Sequence, residues 1–335
     1  MKHLDNTKSL HLEFKVKELL FNASRLPLAV PGEVTVMNFL PNITENFNEI
    51  LRPKYIFEEV KTIASLVTSD FNPDLLTSVY QDIVKLFEGK YVGYQKCDTG
   101  YHDLLHTKEC LLETARLIHG TSLNGHSFCE KDINLGLISA IMHDTGYIQS
   151  TDETAGSGAK YTAIHIDRSI IFMRRYLSQR GFMDKDIRFC ENCLKCTGLF
   201  VKINKIKFLS YENEVMGKIL GIADLIGQMA STLYLEKLPS LFKEFQEAGI
   251  AIYDNEFDLL GKTPGFWEVT KDRFQTELGG FDRYLRDHFR VRWGIDRDLN
   301  REAIEKNIDH LKHILKHHRQ DYHRFLKPQE KLAES

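Results

Sequence analysis

The sequence lacks any uninterrupted apolar run that approaches the roughly 18 residues of a membrane span. It also lacks the charged, then apolar, then small-residue order of a secretion leader at its start. Neither sign of charge is in large excess, because 44 Lys and Arg accompany 47 Asp and Glu and give a net charge of -3. We therefore expect a cytoplasmic protein with no membrane partner and no nucleic acid polymer as partner.

Cysteine is scarce, and the sequence contains no complete cysteine-based metal motif. Without a secretion signal, its six cysteines are expected to be reduced thiols and not a disulfide framework. Cys190, Cys193 and Cys196 have the C-x-x-C-x-x-C spacing of iron–sulfur ligation, but the fourth cysteine of that pattern is missing. The same spacing on a helix often packs cysteines in a core as small apolar residues, which is the interpretation that we favour.

Strand signals are nearly absent after about residue 55, and apolar residues recur with a helical period from there onward. The stretch 133–142 is apolar almost all round, which predicts a central buried helix. The sequence therefore predicts an all-α, multi-helix bundle over residues 56–328, with a metal site in a central cleft. Residues 1–55 are predicted to form an N-terminal extension, mixed or helical, that packs on the bundle or serves in oligomer contacts.

Ionisable residues interrupt this apolar pattern in the order H, HD, D. His102 and His106 are four residues apart and share a helix face, His143 and Asp144 close an apolar run, and Asp224 lies inside another. A buried carboxylate without a partner costs several kcal/mol or becomes protonated. One shared cation would make all of these groups tolerable together. The alternatives are a buried arginine partner for Asp224 and a helix cap or surface dipeptide at the HD pair.

Two imidazoles and two carboxylates suit one or two divalent ions such as Fe, Mn, Zn or Ni, with positions left for water and substrate. Asp144 has two oxygens and could bridge to a second ion. His102 is expected in the first turn of its helix, nearer the pocket mouth, which favours His106 as ligand and His102 as proton donor. The reaction that follows is hydrolysis of a phosphate ester by metal-activated water.

At these residues the chain resembles the HD superfamily of metal-dependent phosphohydrolases, and within it the catalytic domains of cyclic-nucleotide phosphodiesterases. The likeness runs from about residue 56 to 290. Tyr101-His102-Asp103-Leu104-Leu105-His106-Thr107 looks like the Y-H-N-x-x-H-A segment of that family, and Ile141-Met142-His143-Asp144 looks like its HD segment. Gly221-Ile222-Ala223-Asp224-Leu225 looks like its C-A-D-[LI] segment, and Gly265-Phe266-Trp267 looks like its P-F-W turn.

The resemblance implies a catalytic and metal-binding set with assigned roles. It implies metal ligation by His106, His143, Asp144 and Asp224, with Asp144 bridging, and His102 as the group that protonates the leaving oxygen. Magnesium joins the candidate ions on this basis. The implied partner is a small-molecule phosphate ester or nucleotide.

Some positions depart from the phosphodiesterase pattern. Tyr147 stands where a further histidine follows the HD aspartate, and Thr162 replaces a glutamate before a later histidine pair. The second histidine of that pair corresponds to His165, which is either a ligand or near-ligand of a second metal or a core histidine. Thr197-Gly198 lacks the acid of the family's threonine-aspartate.

Two cations flank His165. Lys160 and Arg168 could contact a phosphate, and solvated surface is the other interpretation for each. Gly156-Ser157-Gly158 has no Walker lysine after it, so we interpret it as a flexible lid and not as a P-loop. A solvated basic face, open to contact with another subunit in a homo-oligomer, is predicted for His310, His313, His317, His318 and His323.

The sequence thus predicts an enzyme, a phosphodiesterase-like HD-domain phosphohydrolase. The alternative is an HD-fold regulatory or binding module in which a structural metal survives with little activity. A third possibility is a mixed-valent di-iron oxygenase, which the shortage of histidines after His143 disfavours.

Overall fold

The computed structural model describes residues 55–327, and within this range the protein is an all-α bundle without strands. The predicted fold class is confirmed. The predicted extension lies, apart from Tyr55, outside the described residues. The helices are α1 Ile56–Val67, α2 Asp74–Phe87, α3 Leu104–Leu123, α4 Glu130–Met142, α5 His165–Gln179, α6 Asp184–Lys195, α7 Tyr211–Met229, α8 Tyr234–Glu247, α9 Glu256–Thr276, α10 Leu285–Trp293, α11 Leu299–His317 and α12 His323–Leu326.

Helix α3 lies at the centre of the bundle. It packs most extensively on α7, and also contacts α1, α4 and α10. Apart from the half-buried Lys108, its residues are buried from His106 to Thr121, so almost no part of this stretch faces solvent. Gly227 allows α7 to approach closely, because a Cβ there would lie 3.1 Å from the backbone nitrogen of Cys110 on α3.

The predicted central helix over residues 133–142 is confirmed as part of α4, which is buried from Ile133 to Met142. The three closely spaced cysteines, Cys190, Cys193 and Cys196, are fully buried free thiols on α6 and at its C-cap. Their packing as small core residues agrees with the interpretation favoured from the sequence.

Helices α8 and α9 contact each other. The segment Gly265-Phe266-Trp267, likened to a turn in the sequence, lies inside α9. The reason is that the helical apolar period of Leu260, Trp267 and Phe274 continues through the internal Pro264. Within residues 55–327, no helix combines the length and apolar character needed to cross a bilayer.

Candidate metal centre and adjoining cavity

The start of α3 sets the positions of His102 and His106. Asp103 is the N-cap, and its side chain accepts a hydrogen bond from the backbone N–H of His106 at 2.9 Å. His102 therefore precedes the helix. The expectation that it lies in the first turn is wrong. The side chain of His102 is 13% exposed and that of His106 only 2%.

The HD pair lies where α4 ends. His143 is the C-cap, and its Nδ1 is 2.8 Å from the carbonyl oxygen of Ala140. An Nδ1–H that donates to this carbonyl leaves the lone pair of the neutral ring on Nε2, the arrangement typical of metal-binding histidines. Asp144 follows just outside the helix, before the 3-10 turn Thr145–Tyr147.

Four predicted ligands converge on one point. His106 Nε2 lies 3.2 Å from Asp144 Oδ2 and 3.1 Å from Asp224 Oδ1. His143 Nε2 lies 3.1 and 3.4 Å from the same two oxygens, and the two Nε2 atoms are 3.2 Å apart. Helices α3, α4 and α7 thus bring together side chains that span more than a hundred positions of the sequence.

The donor set fits a divalent cation. Ligand atoms about 2.0–2.2 Å from a zinc-like ion lie about 3.0–3.5 Å from their neighbours, which is the spacing found here. Asp144 Oδ2 is buried without a hydrogen bond of normal geometry, although two imidazole nitrogens lie near it. Two Nε2 lone pairs and two carboxylate oxygens that face one another require a positive charge between them.

The electrostatics of the cluster point the same way. Burial opposes protonation of His106, but hydrogen bonds and charge from Asp144 and Asp224 outweigh it and raise the pKa of His106 to about 9. Burial also opposes charge on the two carboxyls, yet the facing imidazoles hold the pKa of each below its ordinary value. The cluster therefore needs positive charge, supplied by protons or by a cation.

His102 is held by a residue that the sequence did not reveal. Its Nδ1 is 2.6 Å from Oε2 of Glu244, a buried residue of α8 that also accepts the backbone N–H of Tyr101. Gln228 was missed as well, and its side-chain N–H donates to Asp224 Oδ1 at 3.0 Å. Gln228 is one turn after Asp224, whereas nothing in the sequence pairs position 244 with position 102.

Tyr147 and His165 lie on the cavity side of Asp144. The Tyr147 ring stacks against the rings of both His102 and His165, with centroid distances of 4.4 and 4.7 Å. His165 Nδ1 is 2.7 Å from the Thr162 carbonyl oxygen, and its Nε2 lies 3.9 Å from Asp144 Oδ1. Gly146 allows the start of α5 to approach the HD pair this closely, because a Cβ there would be 1.9 Å from the His165 carbonyl oxygen.

Lys160 and Arg168 lie apart from this group. Lys160 Nζ donates to the side chain of Gln149 and to the carbonyl of Ala155. Arg168 donates to the Gly146 carbonyl at 2.8 Å and forms an ion pair with Glu153. Both cations therefore bind the loop that follows the HD pair, and neither lines the cavity described below.

Cys110 is a further neighbour that the sequence analysis passed over. It lies four residues after His106 on α3, and its sulfur is within 4.8 Å of ligand atoms of His143 and Asp224. Burial raises the pKa of this thiol. The i, i+4 spacing from His106 is the signal that could have identified it.

A cavity of about 880 Å³ adjoins the four converging residues. Its wall includes His102, Asp144, His165 and Asp224, whereas His106 and His143 lie behind that wall. This volume is within the range of small-molecule sites. The arrangement leaves the carboxylates accessible from the cavity and the imidazoles supported by the core.

One family model matches residues 74–279, which is more than half of the chain. The chain belongs to the Npun_R2479-like family. The match to this family spans all four converging residues and His102. The family description names no activity, substrate or ligand. No curated protein and no solved structure matches the chain.

Proposed function

We propose that the protein is a metal-dependent phosphohydrolase of the HD superfamily that hydrolyses a phosphate ester of a small molecule. The observation that carries this proposal is the convergence of two imidazole nitrogens and two carboxylate oxygens, 3.1–3.4 Å apart, beside a cavity of ligand size. The order of these residues along the chain, which resembles that of HD phosphohydrolases, supports the proposal further.

The ion would be Fe, Mn, Zn, Ni or Mg, held by His106, His143, Asp144 and Asp224. When bound, it supplies Lewis acidity toward a phosphoryl oxygen and lowers the pKa of water. The protein supplies rigid placement, since His143 is fixed through the Ala140 carbonyl and Asp224 through Gln228.

His102 is the proposed proton donor to the leaving oxygen. The Glu244 carboxylate accepts from His102 Nδ1–H and orients the ring. His102 Nε2 then carries the proton that the leaving oxygen takes up. Because Glu244 is buried and lies outside the group of ligands, it acts as a positioning residue.

A second ion has fewer ligands available to it. His165 Nε2 and Asp144 Oδ1 are 3.9 Å apart and lie on the cavity side of the first site. Tyr147, whose ring stacks against both His102 and His165, stands where the phosphodiesterase pattern has a further histidine. We therefore propose one firmly held ion, with His165 available to a weaker second ion or to the phosphate.

Tyr147 favours a second candidate function, a binding or regulatory module with a structural metal. Tyr147 replaces a histidine that related enzymes use, and its hydroxyl is buried without a hydrogen bond of normal geometry. If this candidate is correct, the protein retains its metal while every phosphate ester supplied to it remains intact.

The experiment combines elemental analysis with hydrolysis of a 4-nitrophenyl phosphate ester in the presence of Mn²⁺ or Mg²⁺. We expect bound metal and product release in the wild type, and loss of both in Asp144→Asn, which keeps the side-chain shape. The matched control is His119→Gln, which changes another buried histidine on α3 and should retain both. Wild-type protein that binds no metal would contradict the proposal, whereas metal without hydrolysis would favour the binding module.

A further inference from the structure

The part of the cavity between α8 and residues 259–269 of α9 is largely apolar. We call it the apolar lobe and define it by the lining residues Leu238, Leu241, Phe245, Leu259, Phe266 and Val269. They come from one face of α8 and one face of α9, at the i, i+3, i+4 and i+7 spacings of a helix. Instead of packing against each other throughout, these two faces enclose space.

The cavity is also long. Leu259 and Thr276 both line it, and both belong to α9. At a rise of about 1.5 Å per residue, these two positions are about 25 Å apart along the helix axis. The apolar lobe follows α9 from Leu259 to Val269, about 15 Å, and the rest of the lining on α9 includes Asp272 and Arg273. This length still suits an extended ligand better than a compact one.

Two of the polar side chains that line the cavity make hydrogen bonds within the protein. Thr263 donates to the carbonyl oxygen of Leu259 in its own helix at 2.9 Å. Gln228, which also lines the cavity, donates to Asp224 and accepts from the Tyr101 hydroxyl at 2.7 Å. Thr263 and Gln228 thus make bonds within the protein, whereas Arg273, which also lines the cavity, has a buried Nη1 without a hydrogen bond of normal geometry.

We propose that the cavity binds an amphiphilic phosphate ester, with its phosphate at the metal centre and an extended hydrocarbon tail in the apolar lobe. The phosphate end of this inference rests on the proposed function. The tail end rests on the lining and length of the cavity alone. A hydrocarbon tail would remove these six apolar side chains from water, which is favourable without any directed hydrogen bond.

The test is a chain-length series. Octyl, decyl and dodecyl phosphate, each below its micelle-forming concentration, are titrated into Mn²⁺-loaded protein by calorimetry, with inorganic phosphate and adenosine monophosphate alongside. Burial of each methylene is worth about 0.8 kcal/mol, so we expect Kd to fall by up to about fourfold for each methylene added. Equal Kd values across the series, or tighter binding of the nucleotide than of decyl phosphate, would overturn the inference.

A cavity-filling variant localises the effect. Val269→Trp fills the apolar lobe, so the gain in affinity should stop at a shorter chain. The matched control is Val291→Trp, at a position on α10 that is 51% exposed, and the chain-length dependence should persist there. A dependence unchanged in Val269→Trp would overturn the placement of the tail. If Val269→Trp does not fold, the wild-type series still decides the inference.

The same alkyl phosphates, assayed for cleavage as well as for binding, separate this inference from the proposed function. Alkyl phosphates that bind with the expected chain-length dependence but are never cleaved would support the tail site and contradict the hydrolase. Conversely, cleavage with a kcat/KM that is independent of chain length would support the hydrolase and overturn the tail site.

Discussion

The two ends of α3 each bury a histidine that meets a second histidine from another part of the chain. At one end, His106 and His143 face each other through Nε2 atoms, with two carboxylates beside them. At the other end, His119 and His288 face each other through Nδ1 atoms 3.0 Å apart, and the nearby charges are arginines. Both pairs are almost fully buried.

The difference lies in the sign of the surrounding charge. Burial lowers the pKa of His119 and, together with Arg116, lowers that of His288 well below its ordinary value. One neutral ring can then donate to the other, and the pair needs no cation. At the first end, the carboxylates of Asp144 and Asp224 instead raise the pKa of His106 and His143. Burial of histidines therefore does not by itself make a group that could hold a metal ion, whereas the convergence of lone pairs and negative charge does.

The largest effect is expected at His102, beside the end of α3 that holds the carboxylates. His102→Gln should lower kcat by about 10²- to 10⁴-fold for an alkyl phosphate ester, whose leaving oxygen needs a proton. The loss should be much smaller for a 4-nitrophenyl ester, whose leaving group is stable as an anion. Steady-state kinetics on both esters, with metal content measured in parallel, checks this. Equal losses on the two esters would show that His102 does not act as the proton donor.

A second effect concerns stability and separates the two histidine pairs directly. Saturating Mn²⁺ should raise the free energy of unfolding by about 2.7 kcal/mol when its concentration is about 100 times Kd. The gain should vanish in Asp224→Asn and persist in His288→Gln. Urea unfolding with and without the ion measures it, and a gain that survives in Asp224→Asn would place the ion elsewhere.

The His119–His288 pair should make the protein sensitive to acid. Both pKa values are lowered in the folded state, so below pH of about 6.5 the unfolded chain binds protons that the folded one does not. The contribution to stability is therefore complete above that pH and falls below it, by up to about 1.4 kcal/mol per pH unit for each histidine. In the double variant His119→Gln, His288→Gln, denaturant unfolding should show a flatter dependence between about pH 7 and pH 5. An unchanged slope would mean that the pair takes up protons when folded.

The smallest effect is expected in the loop after the HD pair, which belongs to neither end of α3. Contacts from Tyr161, the Ser150 backbone and Arg168 lower the pKa of Glu153 to about 2 against the opposing effect of burial. The carboxylate thus stabilises the fold above its unfolded pKa of about 4.3, and this is lost as the pH falls toward 2. Because the group is partly exposed, Glu153→Gln should cost only about 0.5–1 kcal/mol at neutral pH. Thermal unfolding measures this cost, and metal content should not change.

Much of the fold followed from the sequence, because helical periodicity records which faces are buried. The apolar stretch 133–142 predicted its helix closely. The four converging residues were recognisable because His106 shares a helix face with His102, His143-Asp144 close an apolar run and Asp224 interrupts another. The position of His102 was misjudged because Asp103 takes the N-cap. An Asp before an apolar helix is itself a capping signal, so this detail was available in the sequence.

Other parts of the site depend on tertiary packing. Glu244 lies on an amphipathic helix where a charged residue ordinarily faces water, and only the approach of α8 to the start of α3 buries it against His102. The pairing of His119 with His288 is equally invisible, since 168 other positions separate them and neither shares a motif. Sequence spacing identifies groups on one helix, whereas contacts between distant helices require the fold.

The most direct test of the central claim is the position of a bound ion. A crystal grown with Mn²⁺ and measured by anomalous scattering should show a peak within coordinating distance of His106 Nε2, His143 Nε2 and one oxygen each of Asp144 and Asp224. No peak should lie at the His119–His288 pair. Absence of a peak among those four residues, or a peak at the other end of α3, would contradict the account.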